Sequence, residues 1–129
     1  MAERQNFSSG AIWEDKIGYS RVVRSGHIIE VSGTVALHED GKVVGLNNAY
    51  EQTKFILEKI ILFVEKVGGK KEDITRTRIY VTDMFQWEEI GKAHSEFFKD
   101  IKPVTSFVEV KSLIGPEYLV EIEATAIVH

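Results

Sequence analysis

The sequence contains no cysteine. Disulfides, thiolate zinc sites and a cysteine nucleophile are therefore excluded. Proline is scarce, with only Pro103 and Pro116. No Pro- or Gly-rich linker divides the chain, and residues 1–129 are expected to form a single domain. No apolar run approaches the roughly 20 residues that span a bilayer. The longest, Ile60-Ile61-Leu62-Phe63-Val64, is bracketed by Lys59 and Glu65, so no membrane partner is expected. There is no basic surplus: the net charge is −4. Phosphate neutralisation supplies most nucleic-acid affinity, so this balance disfavours RNA or DNA as a partner. The opening residues Met1-Ala2-Glu3-Arg4-Gln5-Asn6 lack the basic and apolar regions of a secretion signal, and a cytoplasmic protein is expected. Phosphate-cradling glycine loops and the Gly-x-Ser-x-Gly elbow are absent. His27, His38, His94 and His129 show no ligand spacing. Neither a metal nor a cofactor is expected.

What remains is an ordinary globular composition, 43% hydrophobic and 28% charged, with clear local signals. Residues 1–15 are polar and read as an irregular arm anchored by Trp13. Tyr19–Arg24 and His27–Val35 are β-branched-rich runs split by Ser25-Gly26, a hairpin signature. Alternation over the second run puts Ile29, Val31, Gly33 and Val35 on one face and Ile28, Glu30, Ser32 and Thr34 on the other. Asp40-Gly41 marks a turn, with Lys42-Val43-Val44 returning briefly. Asn48 and Glu51 form a capping-box pair at the start of a helix whose apolar stripe is Ala49, Thr53, Ile56, Ile60, Phe63, Val64 and Val67. Gly68-Gly69 stops it. Asp73–Val81 reads as a strand. Asp83 and Gln86 open a second helix with the stripe Trp87, Ile90, His94, Phe97 and Phe98. Thr105–Val110 and Tyr118–Val128 are the last two strands, joined through Gly115-Pro116.

The order ββαβαββ gives an α+β fold with one mixed sheet. Two helices can cover only one face of it. Val120, Ile122, Ala124, Ala126 and Val128 mark the covered face. The other carries Glu30, Ser32, Arg76, Arg78, Tyr80, Glu121 and Glu123, with Thr105, Phe107 and Glu109 assigned to it. That face is too apolar for solvent and too polar for a core. A subunit interface, or a ligand site beside one, accounts for it.

Pro103-Val104-Thr105-Ser106-Phe107-Val108-Glu109-Val110, then Leu113, then Val120-Glu121-Ile122-Glu123-Ala124, resembles the C-terminal signature of the RidA/YjgF/YER057c/UK114 superfamily. Val31-Ser32-Gly33 and Gly18-Tyr19-Ser20-Arg21 resemble its Ser-Gly strand end and first-strand Gly-x-Tyr entrance. The resemblance implies a chorismate-mutase-like fold, a homotrimer, and small-molecule clefts between subunits. Active members of the family hydrolyse enamines and imines to 2-keto acids and ammonia without metal or cofactor. An arginine holds the substrate carboxylate and a glutamate positions water. Here the arginine position is Thr105, so the chain resembles a branch lacking that clamp.

The glutamate is Glu121, the candidate catalytic residue; otherwise it is a structural interface acid paired with Arg76 or Arg78. Glu123 is the expected ion-pair partner of those arginines. Tyr19, Ser32, Thr105 and Phe107 are candidate substrate-binding residues by position. Ser32 and Tyr19 otherwise end a strand and pack under the arm. Arg21 is either a substitute carboxylate clamp or a surface arginine. Trp87 and His94 share one helix side, as pocket residues or as packing. Three functions compete: a deaminase-like hydrolase, a non-catalytic small-molecule-binding trimer, and an endoribonuclease or translation inhibitor. Net charge and the missing histidine pair weigh against the last.

Overall fold

The computed structural model describes residues 3–129; Met1 and Ala2, the first two residues of the expected arm, lie outside the described residues. Nine main elements follow in order: β1 (Arg4–Phe7), α1 (Ile12–Ile17), β2 (Val22–Ser25), β3 (Ile28–Thr34), α2 (Ala49–Lys66), β4 (Ile74–Val81), α3 (Trp87–Phe98), β5 (Val104–Glu109) and β6 (Val120–Ile127). The expected ββαβαββ order is present from β2 to β6. One six-stranded mixed sheet has the spatial order β1-β2-β3-β6-β4-β5. Only the β4–β5 pair is parallel.

The N-terminal arm is not irregular. Arg4–Phe7 adds an antiparallel edge strand against β2, and Ile12–Ile17 is a short helix closed by Gly18 in the left-handed region. Backbone pairing needs no apolar side chains, so a polar edge strand leaves no periodic trace. The anchor is Glu14 rather than Trp13. Glu14 is 2% exposed while Trp13 is 46% exposed. The Glu14 carboxylate accepts from the Ser8 hydroxyl, the Ser9 N–H and the Ser9 hydroxyl.

The caps behave as their chemistry requires. Asn48 Oδ1 accepts from the Glu51 N–H at 3.0 Å and starts α2. Asp83 Oδ1 accepts from the Phe85 N–H, so it caps a single 3₁₀ turn, Met84–Gln86, that leads into α3. Helix α2 lays Ile56, Leu57, Ile60 and Val64 on Ile29, Val31, Ile122, Ala124 and Ala126. Gln52 is buried in this layer. It accepts from the Leu119 N–H and donates to the Gly45 and Glu117 carbonyls, which ties the C-terminal loop to α2.

Two readings of strand parity are corrected. First, β3 carries a bulge: Val31 pairs with Ala124 but Thr34 with Ile122, three steps against two. The extra residue turns Thr34 into the core and ends the alternation at Ser32-Gly33. Second, Thr77 pairs with Thr105 and Ile79 with Phe107. Both Thr77 and Ile79 are buried, so Thr105 and Phe107 lie on the helix-covered face and not on the open one. Strand β5 is an edge strand without apolar alternation, so nothing local fixes its parity. The open face instead receives Val104 and Val108, opposite Arg76 and Tyr80. With Ile28 and Ile127 these are exposed apolar side chains on the face without long helices, where an interface is expected.

Candidate functional site

The bulge at Ser32-Gly33 builds the site. A Cβ placed on Gly33 would sit 2.2 Å from Glu121 Oε2 and 3.0 Å from Glu121 Cδ. The carboxylate of β6 therefore rests directly on the Gly33 backbone, in space that only glycine leaves open. On the other side, Arg21 Nη2 donates to the Gly33 carbonyl at 2.6 Å. One residue thus positions both a carboxylate and a guanidinium.

Around them lies a cavity of about 550 Å³, a volume suited to a small organic ligand. Tyr19, Arg21, Ser32, Lys59, Glu117 and Glu121 supply its polar groups, and Trp13, Ile17, Val35, Leu37 and Ile114 much of its apolar wall. The Arg21 guanidinium stands 5.6 Å from the centre of the Tyr19 ring and 6.0 Å from that of Phe63. Lys59 Nζ donates to the Leu37 carbonyl. The Ser32 hydroxyl donates to the Ser20 carbonyl at 2.7 Å, so its proton is used internally and it can only accept from a ligand.

Electrostatics set these groups apart. Burial raises Glu121 above the ordinary carboxylate range; Arg21 pulls it down and Glu123 adds to the rise. A carboxyl shifted upward by burial is a better proton acceptor than an ordinary carboxylate. Burial lowers Arg21, and burial followed by Arg21's repulsion lowers Lys59. Burial would raise Glu14, but its bonds from Ser8 and Ser9 outweigh that and hold it low.

The expected ion pair forms as anticipated: Arg78 Nη1 donates to Glu123 Oε1 at 2.5 Å, and the Tyr80 hydroxyl donates to the same oxygen at 3.1 Å. Among the described residues Glu121 is in no ion pair. Among the described residues no cluster of three metal-ligating side chains occurs.

Of the residues singled out in the sequence, Tyr19, Arg21, Ser32 and Glu121 meet in this cavity. Thr105, Phe107, Trp87 and His94 do not. Thr105 and Phe107 sit on β5, beyond β4 from Glu121 on β6, and on the opposite face of the sheet. Thr77 Oγ1 bonds both Thr105 Oγ1 and His94 Nε2, each at 2.8 Å. The His94 ring packs 4.7 Å from that of Phe98, while Trp87 is 55% exposed. This second cluster occupies the α3–β5 edge. The sequence reading missed Lys59 and Gly33 as site residues. Lys59 lies beside Ile60 and Phe63 on α2, and nothing in its local pattern signals that its amine turns to the Leu37 carbonyl in the loop after β3.

Burial lowers the pKa of His94 below the usual 6.5. An unfolded chain takes up a proton there as pH falls through 6.5, while the native chain resists it. The native state then binds fewer protons, so His94 contributes a loss of stability on acidification. Urea unfolding between about pH 5 and 7 should show a slope that flattens in His94→Gln. An unchanged slope would mean that His94 protonates freely in the folded protein.

The family model described as endoribonuclease L-PSP matches residues 13–128. The 3-aminoacrylate deaminase RutC of Acinetobacter baylyi is 31% identical over 108 residues, covering 84% of this chain and 85% of that protein. Rv2704 of Mycobacterium tuberculosis, described as a member of the YjgF/YER057c/UK114 family, is 43% identical with a TM-score of 0.88, covering 98% of this chain and 100% of that one. YyfA of Yersinia pestis, a Rid-family protein of unknown function, is 28% identical with a TM-score of 0.86, covering 98% and 100%. No helix among the described residues is long and apolar enough to cross a membrane.

Proposed function

The chain belongs to the endoribonuclease L-PSP family, the YjgF/YER057c/UK114 group of the RidA superfamily, and from that premise we propose that it is a cytoplasmic, cofactor-independent hydrolase of small imine-like metabolites. One observation carries the reading: Glu121, unpaired and raised by burial, faces a ligand-sized cavity beside Arg21. Water adds to the imine carbon and gives its proton to Glu121. Glu121 returns that proton to the nitrogen, giving a carbinolamine; the carbinolamine hydroxyl then gives its proton to Glu121, which passes it to the nitrogen as the C=O forms, the C–N bond breaks and ammonia leaves. One carboxyl performs these transfers, since a carboxyl whose pKa burial raises is a better proton acceptor than an ordinary carboxylate and can return what it accepts. The net charge of −4 weighs against RNA as the substrate.

The assembly is a homotrimer in this reading, with the α3–β5 edge of one subunit closing the cavity of the next. Thr105, Phe107, Trp87 and His94 would then face the ligand from the neighbouring copy. Sedimentation should give three times the 14.6 kDa chain mass; a monomer would leave those four residues without a place in the site.

The test is release of ammonia and keto acid from imines made in situ by an amino-acid oxidase. Acceleration by the protein supports the hydrolase, and binding without acceleration leaves a non-catalytic binding trimer. Hydrolysis of 2-aminoacrylate should be slow beside that of an arginine-bearing member. Its carboxylate is its one strong handle, and Thr105 offers a hydroxyl already bonded to Thr77. The loss of a charged partner predicts a rate roughly 30- to 5,000-fold lower. A rate equal to that of arginine-bearing members would remove this claim.

A further inference from the structure

We propose that Arg21, assisted by Lys59, anchors the carboxylate of an organic acid with an apolar tail, so that this cavity takes medium-chain or aromatic acids rather than three-carbon ones. The inference rests on reading the cavity as the substrate site and goes on to name the substrate class.

The two cations line the same cavity, and among the described residues neither is in an ion pair. The ion pairs found there are His38–Asp40 and Arg78–Glu123. Unpaired charges on a partly buried guanidinium and amine are costly unless an anion joins them. Arg21 spends one Nη2 proton on Gly33. Its Nε is buried and has no hydrogen-bond partner among the described residues. A guanidinium held by a backbone carbonyl, with donors left over, is prepositioned for a carboxylate.

The acids nearby do not fill that role. Glu14 is satisfied by Ser8 and Ser9 and held low by those bonds. Glu121 is pushed toward its neutral form by burial. It therefore offers Arg21 less charge than an ordinary carboxylate would, and the anion that Arg21 lacks must come from a ligand. Glu117 also lines the cavity and is the one remaining negative group there.

The rest of the wall decides the tail. Trp13, Ile17, Val35, Leu37 and Ile114 offer an apolar lining. Trp13, Ile17 and Ile114 are exposed in the single chain, and whatever part of that surface the neighbouring subunit leaves open is covered by an apolar ligand at a gain proportional to area. A three-carbon acid carries too little apolar surface to gain much from that lining.

Calorimetry with hexanoate, hexanamide and acetate tests this without any reaction. Hexanoate should bind more tightly than hexanamide by roughly 30-fold, and more tightly than acetate. Arg21→Gln, which keeps a donor for the Gly33 carbonyl, should erase the preference for hexanoate over hexanamide. Retained hexanamide binding in that variant would show an intact pocket. Arg21→Lys should keep part of the preference, since it retains the charge and loses the fork. Equal binding of hexanoate and hexanamide by the native protein, no saturable binding of either, or a preference surviving in Arg21→Gln would each overturn the anchor. These probes cannot be hydrolysed, so the two readings fail separately. Lost turnover with Arg21-dependent binding removes the hydrolase and leaves the anchor.

Discussion

Replacing Glu121 with glutamine should lower the proposed imine hydrolysis by about 10²- to 10⁴-fold while leaving the assembly state and acid binding unchanged. Glutamine has the same shape and can still hold a water, but it cannot take the water's proton. The stability effect runs in the opposite direction from the activity effect. The native carboxyl has its pKa raised above 4.5 by burial, so the folded state binds the proton more tightly than the unfolded chain. That group therefore costs stability as pH rises above 4.5, and the cost is complete above its folded value. Glutamine removes it. The thermal midpoint of Glu121→Gln relative to the native protein should rise as pH increases from about 4 to 7. Native turnover should rise with pH over the range in which Glu121 loses its proton. A variant that keeps its rate would show that Glu121 is not the base. A variant that falls apart into monomers would assign Glu121 to the subunit interface.

The parts of this molecule that were legible in the sequence are those where packing imposes a period. In β6, Val120, Ile122, Ala124 and Ala126 are buried and alternate with Glu121, Glu123 and Thr125, because one face meets α2 and the other does not. Helix α2 announced its start through Asn48 because a cap is a local contact. The Glu123–Arg78 pair followed from parity across two central strands. What escaped had no local signature. The strand Arg4–Phe7 is held chiefly by backbone pairing to β2, with Phe7, its one apolar side chain, against Phe63. The bulge at Ser32-Gly33 is set by the register of β6, not by β3 itself. Strand β5 has exposed residues on both faces, so Thr105 and Phe107 could be placed on either side until Thr77 and Ile79 fixed them. Family position brought Thr105 and Glu121 together on paper. In one chain they face opposite sides of the sheet; the proposed trimer would bring them together.

Gly33→Ala should be nearly as damaging to turnover as loss of Glu121 itself. Gly33 is not among the glycines with positive φ, so alanine is acceptable to its backbone, and any effect must come from the added methyl. That methyl would lie 2.2 Å from Glu121 Oε2, a separation no pair of unbonded atoms sustains. Either the carboxylate or the backbone must move. Strand β6 is paired on both sides, to β3 and to β4, so the side chain yields first. A carboxyl displaced by about 1 Å loses on the order of 10²-fold in rate through misalignment alone. The stability cost should fall within the ~1–3 kcal/mol typical of overpacking. Arg21 bonds the Gly33 carbonyl, which the methyl does not touch, so hexanoate binding should persist while turnover collapses. Combining Gly33→Ala with Glu121→Gln should lower the rate no further than either change alone, since both act on one group. Combining it with Glu121→Ala should restore the thermal midpoint by vacating the contested space. Additive rate losses in the first pair, or an unimproved midpoint in the second, would show that the methyl acts through the bulge backbone and not through the Glu121 carboxylate.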